Sequence, residues 1–419
     1  MAPNVHFIGL LRSHVSWAKV GREVIEALAA RGAHVSAASV KGYLYDEEFE
    51  LSEAIEEAIA RKRVDWCDLA LDYPPNFARL NGKRKAGILI YEGDRFPRHW
   101  AEAVRKHLDI AFVPSRFCLE AAAAAGVPRE MTRAAAFGVN GDTYSPTAGE
   151  PALGRESFSG QRSLTRRPRA AESGAGEQWS SRRDNTKRSL PESEGTALAG
   201  KPPVAHKLTD KAFTFLTVAA PHVRKGLKET VEAFCRAFEP EEDVGLVIKC
   251  LPIKELGKQP WEYRGIEEFL PDTRGGQITL IAKALGETEM ADLYRAADVY
   301  VQASYGEGFG LAILEAAACG KPVIATGWGA ATEVFDAGSA WFVDYELIDA
   351  SRFAYDWPRD GGGIHMARPK VENLSELMRR AYESADERAR VAAAGREVAH
   401  RMTWMRTADA VISALSERS

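Results

Sequence analysis

Gly306-Glu307-Gly308-Phe309-Gly310-Leu311-Ala312-Ile313-Leu314-Glu315, running on as AAACGKPVIATG, is the stretch that decides the fold. Upstream of it, DVYVQAS (Asp298 to Ser304) is an apolar, β-branched run of strand length. Downstream, Leu311 to Ala318 consists of strong helix formers, with Gly320 placed as a stop. The segment predicts strand, glycine loop, helix. Gly306, Gly308 and Gly310 let backbone come close to a ligand, and the N–H groups of Phe309, Gly310 and Leu311 fall where a helix N-terminus attracts phosphate. Glu307 sits in the loop, whereas Glu315 lies more than a turn into the helix at about 1.5 Å per residue. The two carboxylates therefore address opposite ends of a ligand, one a sugar hydroxyl and the other a ribose hydroxyl.

Working outward, apolar strands alternate with helical patterns in two separate series, the mark of two parallel-sheet domains. The first series is VHFIGLL (Val5 to Leu11), AHVSAAS, CDLALDY, AGILIYE, IAFVPS and TRAAAFG; the second is FTFLTVA, GLVIKC, ITLIAKA, DVYVQAS and PVIATG. At 419 residues the chain accommodates two such domains plus an excursion. The expected division is residues 1–146 for the first domain, 147–209 for a low-complexity insertion in the linker, 210–395 for the second domain, and 396–419 for a terminal helix crossing back to the first. The insertion is rich in Ser, Gly, Arg and Glu and poor in aliphatics, so it is expected to be disordered. Its basic clusters (Arg166, Arg167, Arg169; Arg182, Arg183, Lys187, Arg188), and the runs ARKRVDW and NGKRKAG, are either solvated surface or a contact for an anionic membrane.

Composition removes several classes. A formal charge of −4 gives no electrostatic case for a specific nucleic-acid partner. Cys67, Cys118, Cys235, Cys250 and Cys319 are dispersed, with no C-x-x-C, which suits buried thiols in a reducing, cytoplasmic setting. There is no 18-residue apolar run, so the expectation is a cytoplasmic protein, at most peripheral to the inner face of a membrane. No His, Cys and carboxylate cluster has ligand spacing, and no Asp-x-Asp pair is present. Neither a metal nor a resident cofactor is expected.

The Glu307 to Ile324 region resembles the E-x7-E signature of retaining glycosyltransferases of family 4, which have the GT-B fold of two Rossmann-like domains facing a central cleft. The match covers both glutamates, the GFG between them and the trailing G-x-P-V-I. The resemblance extends to both halves. FLTVAAPHVRKGLKETVEAF is similar to the segment that brings two cations to the donor diphosphate; Lys225 aligns with the family lysine. Ala220 stands where an arginine is usual, so Arg224 or His222 is expected to compensate. YEGDRFPRHW resembles a Y-E-x-D-R-x-P segment and offers Glu92 and Asp94 as hydroxyl ligands or as bases for the acceptor, with an ion pair to Arg95 as the scaffold alternative. Lys249, at the end of GLVIKC, and Glu333, in WGAATEVF, are further donor-side candidates. Ser13, His14 and Ser16 occupy the first loop, where relatives carry paired glycines, and are candidates for acceptor or phosphate contact. MTWMRTADAVISAL resembles the returning helix, anchored by Trp404.

What the resemblance implies is metal-independent transfer of a hexose-type sugar, with retention, from a nucleotide-diphosphate sugar to a hydroxyl of a carbohydrate, lipid-linked or small-molecule acceptor. Lys225 and the helix start at Phe309 to Leu311 would meet the charge that develops on the leaving diphosphate. Glu307 is by type also a candidate nucleophile, although the resemblance implies that it orients the donor sugar. A non-catalytic nucleotide-sugar-binding or scaffolding protein is the alternative, favoured by Ala220 and by the insertion. An oxidoreductase would want G-x-G-x-x-G after the first strand, and none is there.

Overall fold

The computed structural model describes residues 3–41, 45–63, 66–147, 162–163, 208–251, 277–350 and 363–417. In the first domain β1 (Asn4–Gly9), β2 (His34–Ser39), β3 (Cys67–Leu71), β4 (Arg84–Ile88), β5 (Ile110–Val113) and β6 (Thr132–Ala134) form one parallel sheet in the order β2-β1-β3-β4-β5-β6. Around it run α1 (Ser16–Ala30), α2 (Glu53–Ala60), α3 (Arg98–His107) and α4 (Arg116–Ala124). Helices on both faces of a parallel sheet leave the central strands dry, and every residue of β3 is buried. Val5 pairs with Val35 on one side and with Cys67 on the other, which fixes the register at the middle of the core. Apolar spacing in SWAKVGREVIEALAA puts Ala18, Val24, Ile25 and Leu28 against that sheet. The helix stops at Gly32, whose φ of 79° lets its own N–H reach Ala29 O and that of Ala33 reach Leu28 O.

The second sheet has the order β13-β12-β11-β8-β9-β10-β7. It comprises β7 (Arg162–Ser163), β8 (Phe213–Val218), β9 (Val244–Cys250), β10 (Ile278–Ala282), β11 (Val299–Gln302), β12 (Val323–Thr326) and β13 (Trp341–Val343). All its pairings are parallel except the antiparallel edge that β7 adds to β10. Apart from residue 147 and those two residues of β7, and Leu208 and Thr209 at its far end, the insertion predicted over 147–209 lies outside the described residues. Packed on this sheet are α5 (Leu227–Ala237), α6 (Glu287–Ala296), α7 (Leu311–Ala318), the short α8 (Ala331–Val334), α9 (Val371–Glu383) and α10 (Ala385–Arg401). A hairpin of β14 (Tyr345–Asp349) and β15 (His365–Pro369) stands outside it. Two Rossmann-like parallel sheets facing one another across a cleft constitute the GT-B architecture.

After Met402 and Thr403 the chain returns to the first domain as α11 (Trp404–Ser416), which lies along α1. Its end is gripped by Arg84, which donates to Leu415 O at 2.6 Å and to Ala414 O at 3.2 Å, satisfying carbonyls that a helix terminus leaves open. At its start Trp404 is buried and stacks on Phe137 with ring centroids 5.6 Å apart. Gly138 has to be glycine there, because a Cβ would lie 2.1 Å from Trp404 N. Truncation at this joint removes a large buried ring that holds the two domains together. Trp404→Ala is expected to cost about 3–5 kcal/mol, read as a lower urea midpoint with reduced cooperativity; an unchanged midpoint would show that α11 carries no load.

Candidate active site

The loop after β8 builds the cationic side. His222 opens a single turn of 3-10 helix (Val223–Lys225), its Nδ1 accepting from Arg224 N at 3.0 Å. Gly226 closes the turn with φ 61°, and a Cβ on it would meet Ala303 O at 1.8 Å, so the loop is pressed onto the end of β11. Burial, reinforced by Arg224 and Lys225, pushes His222 down to about 3. It is a neutral cap and not a cation, so of the two residues expected to compensate for Ala220 only Arg224 has the charge.

That turn aims Arg224 and Lys225 at the loop between β11 and α7. Lys225 Nζ lies 2.6 Å from Glu307 Oε1. Arg224 donates to Gly306 O at 2.8 Å, stands 3.9 Å from Glu307 Oε1, and reaches across the seam to Glu92 Oε1 at 2.9 Å. Two cations thus face two carboxylates at the meeting line of the domains, with side chains 8–19% exposed. Burial raises the Glu307 carboxyl, but Lys225 and Arg224 outweigh it and hold the group below its ordinary value. For Glu92 burial wins over Arg224 and the carboxyl is raised. Low-dielectric surroundings strengthen both the burial penalty and the attraction to the cations. A depressed carboxyl stabilises the fold above its unfolded pKa and loses that contribution as pH falls through the folded value. The difference in Tm between the wild type and Glu307→Gln should therefore be steady at neutral pH and shrink below the ordinary glutamate value of 4.5; a difference that grew on acidification would contradict the pairing.

The glycines of the loop serve the approach of the two domains. A Cβ on Gly306 would lie 2.1 Å from Glu92 O, and one on Gly308 would lie 2.8 Å from Tyr91 O. The backbone brought close, expected from sequence to be near a ligand, is in this structure next to the YEG strand end of the first domain. Gly310, at φ 90°, turns the chain into α7, whose N-terminus has no side-chain cap. Phe309 is buried edge-on against Phe137 of the first domain, and Gly308 O accepts from Ser115 Oγ at 2.8 Å. Leu311 is half-buried in the first turn.

Other candidates lie along the same seam, in different roles. Glu315 is buried, accepting from Lys19 Nζ at 2.7 Å and from Tyr294 OH at 2.9 Å; Lys19 also donates to Tyr144 OH. It latches α7 to α1. Glu333 accepts from Arg116 N at 2.8 Å and from Phe117 N, capping α4 from the opposite domain. Asp94 accepts from His365 N at 2.7 Å and pairs with His365 Nδ1 at 2.9 Å, which leaves the scaffold role expected of Arg95 to His365 for Asp94 and to Arg224 for Glu92. Lys249 is buried at the end of β9, pushed down to about 8 by burial, with Cys250 O at 3.4 Å. Among the described residues no hydrogen bond or ion pair joins it to Glu307. Ser13 is buried and accepts from Val15 N, His14 donates from Nδ1 to Leu285 O at 3.2 Å across the seam, and Ser16 is exposed in the first turn of α1.

Sequence reading missed Tyr300, Gln302 and Ser304, which join Glu307 through hydrogen bonds. The signal was present as alternation in VYVQAS, where every second residue is polar. Of the basic runs, Arg61 pairs with Glu57, Arg63 with Asp68, and Arg84 holds α11, while Lys62 and Lys83 are exposed and Lys85 is half-buried. Among the described residues no group of three or more His, Cys, Asp or Glu is placed to hold a metal ion, and no helix is long and apolar enough to cross a membrane.

Comparison matches part of the second domain to a family model and nearly the whole chain to solved structures of the same fold. The family model described as glycosyl transferases group 1 matches residues 212–354, the part of the second domain that contains Lys225, Glu307 and Glu315. A D-inositol 3-phosphate glycosyltransferase of Catenulispora acidiphila is 46% identical over 67 residues, 16% of this chain and 16% of that protein. One from Saccharomonospora viridis is 30% identical over 140 residues, 33% of this chain and 27% of its own. The chain thus spans well under half the length of the curated relatives it matches. Solved structures share the fold over nearly the whole length. A glycosyltransferase from Rickettsia africae superposes with a TM-score of 0.62 at 14% identity, covering 99% of both chains. Anabaena Alr3699/HepE, solved in complex with UDP and glucose, gives 0.60 at 12% identity, covering 99% of this chain and 100% of its own.

Proposed function

We propose that the chain is a retaining glycosyltransferase of the family 4 type, metal-independent, moving a hexose-type sugar from a nucleotide-diphosphate sugar to a hydroxyl of a carbohydrate, lipid-linked or small-molecule acceptor, and working in the cytoplasm. The observation that carries this reading is the Lys225–Glu307 pair at 2.6 Å, with Arg224 beside it, at the line where the domains meet. Breaking a bond between an anomeric carbon and a diphosphate puts negative charge on the leaving group, and fixed cations in dry surroundings are the strongest stabilisers of that charge. Glu92 belongs to one domain and Arg224 to the other, so opening the seam separates the arginine from Glu92. A bound diphosphate then takes the place of Glu92 at Arg224 and shares Lys225, while Glu307 accepts from sugar hydroxyls. The named relatives support sugar transfer, and the fold neighbour solved with UDP and glucose is in keeping with a nucleotide-sugar donor.

The second reading, a nucleotide-sugar-binding or scaffolding protein without transfer, is favoured by Ala220 in place of a second arginine. Incubating the purified chain with a panel of nucleotide sugars, with and without hydroxyl acceptors, separates the two. A transferase releases nucleoside diphosphate faster when an acceptor is present; a binder stabilises in a thermal-shift assay with the same donors and releases none.

A further inference from the structure

Resting on the transferase reading, we propose that Ser304, backed by Gln302 and Tyr300, is a positioning residue that pins one oxygen of Glu307, leaving the other, Oε2, as the acceptor for a hydroxyl of the donor sugar. Successive side chains of a strand point to opposite faces. In β11 and the two residues after it, Val299, Val301 and Ala303 face the core of the second domain, while Tyr300, Gln302 and Ser304 line up on the other face. All three are at most 3% exposed. Their hydrogen bonds form one directed series. Tyr300 OH donates to Gln302 Oε1 at 2.5 Å, Gln302 Nε2 donates to Ser304 Oγ at 2.6 Å, and Ser304 Oγ donates to Glu307 Oε1 at 2.7 Å.

Direction is set from the carboxylate end, which only accepts; at the far end Tyr300 OH also lies 3.5 Å from Val218 O. Once Gln302 gives its amide hydrogen to Ser304, the hydroxyl has its own hydrogen to give, and a carboxylate accepts it. Both remaining close partners of the carboxylate converge on the same atom. Lys225 Nζ is 2.6 Å from Oε1, and Gln302 Nε2 is 3.5 Å from it. Arg224, at 3.9 Å, is also nearest Oε1. Among the described residues the side-chain hydrogen bonds of Glu307 all go to Oε1. A carboxylate with one saturated oxygen is held in plane and in rotation, so its second oxygen presents lone pairs in a fixed direction. Without Ser304 the group would rotate about its last bond toward Lys225 and Arg224, and both oxygens would be shared between the cations. Preorganised polar groups are what a site needs to discriminate a hydroxyl from water.

Two measurements on the full chain test this. First, the Glu307 carboxyl is titrated by difference infrared spectroscopy, taking the wild type minus Glu307→Gln, and again in a Ser304→Ala background. Loss of a hydrogen bond to the charged form should move the titration to higher pH, and Ser304→Thr should restore it. An unmoved titration overturns the relay. Second, UDP-glucose, GDP-mannose and ADP-glucose are compared by calorimetry with UDP, GDP and ADP. Ser304→Ala should weaken the preferred nucleotide sugar about tenfold, the size of one lost oriented hydrogen bond, while leaving the matching diphosphate unchanged. Gln302→Leu, which keeps the serine, should shift the same ratio in the same direction by less. Equal losses for sugar nucleotide and diphosphate, or no loss, would mean that Ser304 merely packs. Should the wild type bind none of these nucleotide sugars, the transferase reading fails, and the infrared shift still decides whether Ser304 sets the state of Glu307.

Discussion

Lys225→Ala and Glu307→Ala are each expected to lower sugar transfer by at least about a hundredfold, the usual cost of removing one preorganised group from a site where charge develops. The two losses should differ in kind. Lys225 meets the leaving diphosphate, so its removal should fall on kcat and also weaken binding of the free diphosphate. Glu307 meets the sugar, so its removal should leave diphosphate affinity in place. Because the residues touch at 2.6 Å, their effects should not add in the double variant. Circular dichroism and gel filtration should show both variants folded. Wild-type turnover by either would remove the pair from the mechanism.

Gly306→Ala should have the next largest effect, although residue 306 contributes no side chain. Its Cβ would stand 2.1 Å from Glu92 O, and backbone on both sides gives no flexible end to move aside. The domains must then separate by an ångström or more at the point where Arg224 reaches Glu92 and Lys225 reaches Glu307. Misplacement on that scale costs about a hundredfold in rate. Each domain keeps its own core, so thermal stability should change little while small-angle scattering reports a more open molecule. A variant with wild-type kcat would show that the closed seam is no part of catalysis.

Much of this was legible in the chain. Period-two and period-3.6 patterns marked the principal strands and helices of both sheets, because a parallel sheet covered on two sides needs continuous apolar runs such as VHFIGLL and GLVIKC. Four strands escaped notice. The two residues of β7 lie in the stretch expected to be disordered, WFV is only three residues long, and YELID and HMARP pair with each other outside the main sheet, where YELID has no buried residue and Leu347 is 57% exposed. Lys225 and Glu307 meet because their loops follow the carboxyl ends of the neighbouring parallel strands β8 and β11. What the sequence hid was the partner each polar group takes from the opposite domain. Glu315 with Lys19, Glu92 with Arg224 and Glu333 with the α4 N-terminus are contacts between residues 132 to 296 positions apart, and no local pattern encodes them. His222 illustrates a second limit, because its neutrality comes from burial beside two cations and not from its place in the motif.

The most direct measurement is a crystal structure of the chain soaked with the nucleotide sugar that stabilises it most. The diphosphate is expected within hydrogen-bond distance of Lys225 Nζ and Arg224, with a sugar hydroxyl on the Glu307 carboxylate. A nucleotide sugar bound elsewhere, with Lys225 and Glu307 still closed on each other, would contradict the account.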